Sequence, residues 1–287
     1  MKKRTIRTIL AGVLICAFAA SAAMVAGQAL RTTSTTSTTS TTSQASTAAN
    51  PAYKPPRTPD GQPDLQGIWQ VRNTANWDVQ SHGSAYRIPA GFGVVEGDGI
   101  PYQPWAAAKK QENFKNRLTE DPVEKCYMAG VPRTMYLPYP VQILQTPEAV
   151  VIVSSYVHTW RWIPTVAVPR YDGYEAWMGD PRGRWDGNTL VVESIGFNGQ
   201  TWLDHSGNFH SESLKLTERF TRIASDAISY EVTIDDPKVF TRPWKMRMPL
   251  YLHTDMPRVL EDECYLDAEG AGKPIRGAHP EDRGGAR

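Results

Sequence analysis

Hydrophobic and polar residues alternate with a period of two in several segments, a pattern typical of β-strands that are buried on one face. The alternation predicts about eight strands, which lie in DLQGIWQVR, VQILQ, VVIVSSYVHTWRW, GRW, TLVVESI, LKLTERFTRI, ISYEVTI and RPWKMRMPLYL. Turn residues separate the strands. The tripeptide Asp-Gly-Asn at 186–188, for example, suits a tight hairpin because these residues tolerate positive φ.

One segment has helical character instead, residues 104–118, where Pro104 stands in the first turn and is tolerated there. Consecutive strands joined by short turns form a meander, and about eight such strands can close into a barrel with room for side chains or one ligand. We therefore predict a mainly β protein, an antiparallel meander of about eight strands that closes into a lipocalin-like barrel, with one N-terminal helix.

The composition divides the chain into four regions. Residues 1–30 combine a basic start, an apolar run and small residues, which is typical of a secretory signal peptide, with an uncleaved membrane anchor as the alternative. Residues 31–60 form a Thr/Ser/Pro-rich linker with too little apolar surface to fold. Residues 61–267 form the predicted β-barrel-like domain, and residues 268–287 a flexible C-terminal tail. A periplasmic or secreted location follows.

The charge of the chain bears on its partners. The 31 Lys and Arg residues nearly balance the 30 Asp and Glu residues and give a formal net charge of +1. This balance offers no electrostatic basis for binding nucleic acid. No block of like charge indicates a membrane surface. Contact with a membrane is therefore expected only through the signal segment, if it is not cleaved.

Two cysteines remain outside the signal segment, Cys126 and Cys264. An even pair in an exported chain predicts a disulfide bond, because disulfides persist in oxidising compartments. Two buried free thiols, or half of a metal site, are the alternatives. A disulfide would tie the segment before the main sheet to the end of that sheet.

The motifs GRWDGNTLVVES, TWLD, TERF and VTIDDPKVFTRPW resemble those of a large family of exported bacterial proteins that have no assigned activity. The resemblance implies secretion and a shared fold, and it carries over no catalytic residue. The Gly-x-Trp in LQGIWQ also resembles the motif in the first strand of lipocalins.

Side-chain direction identifies a candidate pocket, because strand residues of one parity share a face. Glu218 shares the apolar face of its strand with Leu216 and Phe220. We predict an aromatic barrel interior in which polar groups orient a small hydrophobic or aromatic ligand. Besides Glu218, the predicted ligand-binding residues are His158, Trp160, Trp162, Trp244, Met246 and Arg242. The structural alternative is a buried ion pair of Glu218 with Arg242 or Arg222, and a hydrogen bond from His158 to a backbone carbonyl.

The stretch TWLDHSGNFHSE is a second candidate site because it is rich in ionisable groups. His210 could act as a general base held by Asp204 or Glu212, with His205 in support. We expect no cofactor, although His205 and His210 could alternatively hold a divalent metal. The spacing of the two histidines differs from that of helical zinc motifs.

Three functions are compatible with these observations. The first is an exported small-molecule-binding protein with a hydrophobic or aromatic pocket. The second is a cofactor-free or metal-assisted isomerase, lyase or hydrolase that uses His210, Asp204 and Glu218. The third is an envelope structural or interaction module whose tryptophans only fill the core.

Overall fold

The computed structural model describes residues 53–85, 88–266 and 272–276. The predicted signal peptide and most of the predicted linker lie outside the described residues. The end of the linker region contacts the domain, since Arg57 pairs with Pro63 in an isolated β-bridge. Among the described residues, no helix is both long and apolar enough to span a bilayer.

The regular secondary structure of the described residues consists mainly of strands. The α-helix α1 spans Pro104–Glu120, and a 3₁₀ helix spans Arg133–Tyr136. The strands are β1 Gly67–Val71, β2 Val141–Gln145, β3 Ala149–Ser154, β4 Trp160–Pro164, β5 Asp180–Asp186, β6 Thr189–Ile195, β7 Lys215–Ala224, β8 Ala227–Asp235, β9 Trp244–Leu252, β10 Asp262–Leu266 and β11 Gly272–Arg276.

Strands β1 to β9 form one antiparallel sheet in the order β4-β3-β2-β1-β9-β8-β7-β6-β5. Strands pair with their chain neighbours within β1–β4 and within β5–β9, and β9 pairs back with β1, so the sheet curls into a nearly closed barrel with one seam between β4 and β5. The predicted meander barrel with a single helix is confirmed. The count exceeds the expected number because residues 155–159 form a turn that splits one predicted strand into β3 and β4.

The seam between β4 and β5 is narrow because of a glycine. A Cβ atom added at Gly183 in β5 would lie 2.9 Å from Cγ2 of Ile163 in β4. Any larger residue would therefore separate the two strands. This close approach explains why the barrel nearly closes although β4 and β5 are not neighbours in the hydrogen-bonded order of the sheet.

The interior of the barrel is packed with apolar side chains. Trp244 is 2% exposed and Met246 is fully buried, so both belong to the core as their strand parity predicts. Other buried residues of this core are Trp69, Val141, Ile143, Val150, Ile152, Ile163, Leu190, Val192, Leu216, Phe220, Ile228, Tyr230, Val232, Ile234, Met248 and Leu250. Along β7 and β9 these side chains alternate with more exposed ones, as expected for a sheet with one buried face, whereas β6 and β8 each begin with four consecutive buried residues.

A disulfide bond joins Cys126 and Cys264, as predicted. It links the segment after α1 to β10, which pairs with β11 in a separate two-stranded sheet. Ser155 also donates a hydrogen bond of 2.6 Å to the carboxylate of Asp262. The hairpin is thus attached to the turn between β3 and β4, and β11 lies within the region predicted as a flexible tail.

Candidate functional site

An open cleft lies between helix α1 and the loop that connects β6 to β7, residues 196–214, which we call the β6–β7 loop. The cleft, called the α1 cleft below, has a volume of about 800 Å³. Its lining residues belong to the helix and the loop and not to the barrel strands. They are Trp105, Lys109, Glu112, Asn113, Asn116, Thr119, Glu120, Gly199, Trp202, Phe209, His210, Ser211 and Glu212.

One stripe of helix α1 forms a wall of the cleft. Trp105, Lys109, Glu112, Asn116 and Glu120 follow one another at intervals of three or four residues, which places them on one face of a helix. At the usual rise of an α-helix, this stripe is about 22 Å long. The α1 cleft is therefore elongated along the helix axis.

Aromatic rings form the other main feature of the cleft. The rings of Trp105 and Phe209 meet edge to face with centroids 6.0 Å apart, and Phe209 stacks on Tyr102 at 6.2 Å. The indole N–H of Trp105 donates to the carbonyl of Lys238 at 3.2 Å, while 55% of the residue stays exposed. Trp202 pairs with Phe209 in an isolated antiparallel bridge. Helix and loop thus present several rings to one cleft.

The charged side chains of the cleft are paired with opposite charges. Lys109 lies 3.1 Å from Glu112, and Glu120 lies 2.7 Å from Lys125. Glu212 forms an ion pair with Lys238, whose hydrogen bond lowers the pKa of the Glu212 carboxyl. The lining itself holds three carboxylates and one lysine, and the other two lysines of these pairs, Lys125 and Lys238, lie outside it, so the three pairs taken together carry no net charge.

Asp204 is fully buried and holds the β6–β7 loop against the rest of the domain. Its carboxylate accepts hydrogen bonds from the backbone N–H of Val79 at 2.9 Å and of Asn208 at 3.1 Å, and from the side-chain amide of Asn208. Burial, together with the nearby charge of Asp78, raises the pKa of Asp204 to about 7. These contacts give Asp204 a structural role in the loop.

His205 is buried in a network of charged groups behind the loop. Its Nδ1 lies 2.9 Å from the carboxylate of Asp121, which also accepts two hydrogen bonds from Arg133 at 2.7 and 2.8 Å. Burial by itself raises the pKa of Asp121, but the Arg133 charge and the His205 hydrogen bond outweigh burial and lower it to about 2. The network joins α1, the 3₁₀ helix and the loop.

His210 borders the cleft, but both of its ring nitrogens are occupied. Nδ1 lies 2.9 Å from the carbonyl oxygen of Ser211, and a carbonyl can only accept, so Nδ1 carries the proton. Nε2 then accepts a hydrogen bond of 2.6 Å from the hydroxyl of Thr201. Burial lowers the pKa of His210, which favours this neutral form.

Glu218 is fully buried inside the barrel, as its strand parity predicts. Its partner is neither Arg242 nor Arg222 but Arg161, which donates to it at 3.0 Å from Nη1 and also from Nη2. Tyr230 donates to the same carboxylate at 2.9 Å. None of the hydrogen bonds of Glu218 in the described part of the chain reaches the β6–β7 loop, so Glu218 is not bonded to His210 or Asp204, the residues with which the predicted enzyme would use it.

The predicted inward direction of His158, Trp160 and Trp162 is wrong. The two tryptophans are 66% and 45% exposed, and the side chain of His158 is 77% exposed and bonded to Glu263. The prediction assumed one continuous strand in which side chains alternate between two faces. The chain turns at residues 155–159, so the alternation does not continue from β3 into β4. The buried residues of β4 are instead Arg161 and Ile163.

Arg242 also points to solvent, contrary to the prediction. It precedes β9 in an irregular segment, so the parity of that strand does not apply to it. Trp244 and Met246 do face inward, but they are packed among core side chains. The predicted set of ligand-binding residues therefore does not meet around one pocket.

The residues that sequence reasoning missed are mostly on the helix and in ion pairs. No pattern in the sequence marks Trp105 as a site residue of the predicted helix, and Arg161 lies between two tryptophans that are predicted to face inward. The residues of the described ranges include no group of three or more His, Cys, Asp or Glu side chains that could hold a metal ion. His205 and His210 engage separate partners.

Comparison of the chain with family models, curated proteins and solved structures finds no match. The resemblance to exported bacterial proteins therefore stays a prediction from the sequence motifs. The features of the molecule that bear on function are therefore the α1 cleft and the buried clusters around it.

Proposed function

We propose that this chain is an exported small-molecule-binding protein and that its ligand lies in the α1 cleft. The observation that carries the proposal is an open cleft of about 800 Å³ whose lining includes the rings of Trp105, Trp202 and Phe209. Sites for small organic molecules commonly have volumes of about 300 to 1,000 Å³ and combine aromatic rings with a few polar groups. The disulfide supports export, because such bonds persist in oxidising compartments.

The barrel interior is a weaker candidate for the binding site. Trp160 and Trp162 lie on the outer surface, and the space around the Glu218 carboxylate is occupied by Arg161 and Tyr230. A ligand in that position would have to displace a buried ion pair. The cleft requires no such displacement.

Catalysis by an isomerase, lyase or hydrolase mechanism is supported less well than binding. A general acid or base must come within hydrogen-bond reach of the ligand. His210 is the histidine that borders the cleft, and its two nitrogens are bonded to Thr201 and Ser211. The third function, an envelope interaction module, rests mainly on the exposed Trp160 and Trp162.

A titration with N-phenyl-1-naphthylamine, a neutral dye that brightens in apolar surroundings, tests the proposal. We expect saturable binding to the wild-type protein and an affinity at least about tenfold weaker in Trp202→Ala, because the loss of a ring removes both stacking and buried apolar area. Trp162→Ala is the matched control, since Trp162 is partly exposed but lies outside the cleft. Unchanged affinity in Trp202→Ala, with weaker binding in Trp162→Ala, would contradict the proposal.

A further inference from the structure

We infer that the ligand of the α1 cleft is an uncharged oligosaccharide that lies along helix α1. The inference rests on the proposed function, because it concerns the same cleft and names the chemical class of its ligand. Three properties of the cleft support the inference: its length, the chemistry of its lining and the pairing of its charges.

The length of the cleft favours a chain-like ligand. The lining extends along the helix from Trp105 at its first turn to Glu120 at its last residue, over about 22 Å. A single small ring would contact only one part of this wall. A short linear oligomer can contact both the aromatic end and the polar end at once.

The lining offers the two kinds of contact that a sugar ring needs. A pyranose has a C–H face that packs on aromatic rings and hydroxyl groups at its edge that both donate and accept hydrogen bonds. Trp105, Trp202 and Phe209 provide ring surfaces. Asn116 is exposed in the same lining, and its side-chain amide can both donate and accept. The amide of Asn113, in contrast, is already bonded to the carbonyl of Gly207.

The balance of charge favours a neutral ligand. Each carboxylate in the lining has its own lysine, in the pairs Glu112 with Lys109, Glu120 with Lys125 and Glu212 with Lys238. A charged ligand would be attracted to one member of each pair and repelled by the other member. It would therefore gain little net electrostatic attraction. Hydroxyl groups can bond to the spare donors and acceptors of these pairs without breaking them.

Isothermal titration calorimetry with glucose, cellotriose, cellohexaose, maltohexaose and chitohexaose tests the inference. We expect at least one hexasaccharide to bind, and to bind more tightly than shorter sugars because it contacts more of the helix. Trp105→Ala should weaken this binding at least about tenfold, as expected for the loss of one stacking contact. Asn116→Ala, a change on the exposed helix surface, should weaken it several-fold without affecting folding. Trp160→Ala, on the outer face of β4, is the control and should bind normally.

The outcomes separate this inference from the proposed function. If no oligosaccharide of the panel binds while the dye still binds in a Trp202-dependent manner, the saccharide inference is wrong and the binding function stands. If a hexasaccharide binds equally to Trp105→Ala, Asn116→Ala and wild type, the ligand does not lie along α1 and the inference is also wrong. A short cationic or anionic peptide that displaces the dye when no sugar does would indicate a peptide ligand instead.

Discussion

Buried ionisable side chains in this protein are held by specific partners, and their loss should affect stability more than binding. Glu218 and Arg161 form an ion pair inside the barrel, where both are nearly inaccessible. The pair connects β7 to β4, which is one edge of the seam. An unpaired charge in such surroundings is far more costly than the pair.

Glu218→Gln should therefore destabilise the fold by about 3–5 kcal/mol, because it leaves the Arg161 guanidinium buried without a counter-charge. Urea unfolding measures the loss. Glu193→Gln is the matched control, an exposed glutamate that lies 3.6 Å from Arg184 and outside the α1 cleft, and should leave stability unchanged. Dye affinity should not change in either variant. A stable Glu218→Gln protein that has lost dye binding would instead place the ligand inside the barrel.

Asp204 should make stability depend on pH in an unusual direction. Burial and the charge of Asp78 raise its pKa from 3.8 to about 7 in the folded protein. The folded state therefore holds a proton that the unfolded chain releases near pH 4. Protonated Asp204 therefore makes its whole contribution to the free energy of unfolding below about pH 4, and this contribution is lost as the pH rises toward 7.

Asp204→Asn should remove this dependence. The variant should be less stable than the wild type by an amount that is larger at pH 5 than at pH 8, with a difference on the order of 2 kcal/mol. Urea unfolding of both proteins at the two pH values measures it. Asp78→Asn is a useful companion, because it removes the neighbouring charge and should lower the pKa of Asp204. Equal losses at both pH values would contradict the assignment.

At the scale of elements, closure of the barrel depends on the contact between β4 and β5. Gly183→Val should push the strands apart, because even a Cβ atom at this position lies 2.9 Å from Ile163. We expect a loss of about 1–3 kcal/mol by overpacking, measured as a lower urea midpoint. Gly83→Val is the control, since an added Cβ there meets no atom within 4 Å. Similar midpoints for the two variants would show that the seam does not need a glycine.

The strands were predictable from the sequence because alternation and turn residues are local signals. The turn at 155–159 was missed because Val157 and His158, which adopt positive φ there, are not typical turn residues. This error reversed the predicted faces of β4. Hydrophobicity also favoured the wrong face, because tryptophan is usually buried and arginine usually exposed. Arg161 can be buried in β4 because Glu218 pairs with it across the barrel, and this partner cannot be identified from the sequence around β4.

The candidate site was only partly predictable, because it depends on segments that are distant in the chain. The loop stretch from Asp204 to His210 was identified, but its ionisable groups turn inward. His205 contacts Asp121, a residue 84 positions away, and no sequence pattern indicates this partner. Likewise, nothing local to Trp105 shows that the β6–β7 loop lies beside it.

At the scale of the whole molecule, the barrel and the site are separate parts. The barrel interior is packed, and the β6–β7 loop is fixed by Asp204 and by the network of His205, Asp121 and Arg133. A fixed loop keeps the aromatic wall of the cleft in position before a ligand arrives. Such preorganisation lowers the entropy lost on binding.

The most direct measurement of the central claim is a map of amide chemical shifts on addition of N-phenyl-1-naphthylamine to ¹⁵N-labelled protein. We expect the largest changes in helix α1 and at residues 199–212. Residues of β4 and those around Glu218 inside the barrel should change little. If the largest changes instead occur around Glu218, or on the outer face of β4 at Trp160 and Trp162, the ligand does not lie in the α1 cleft.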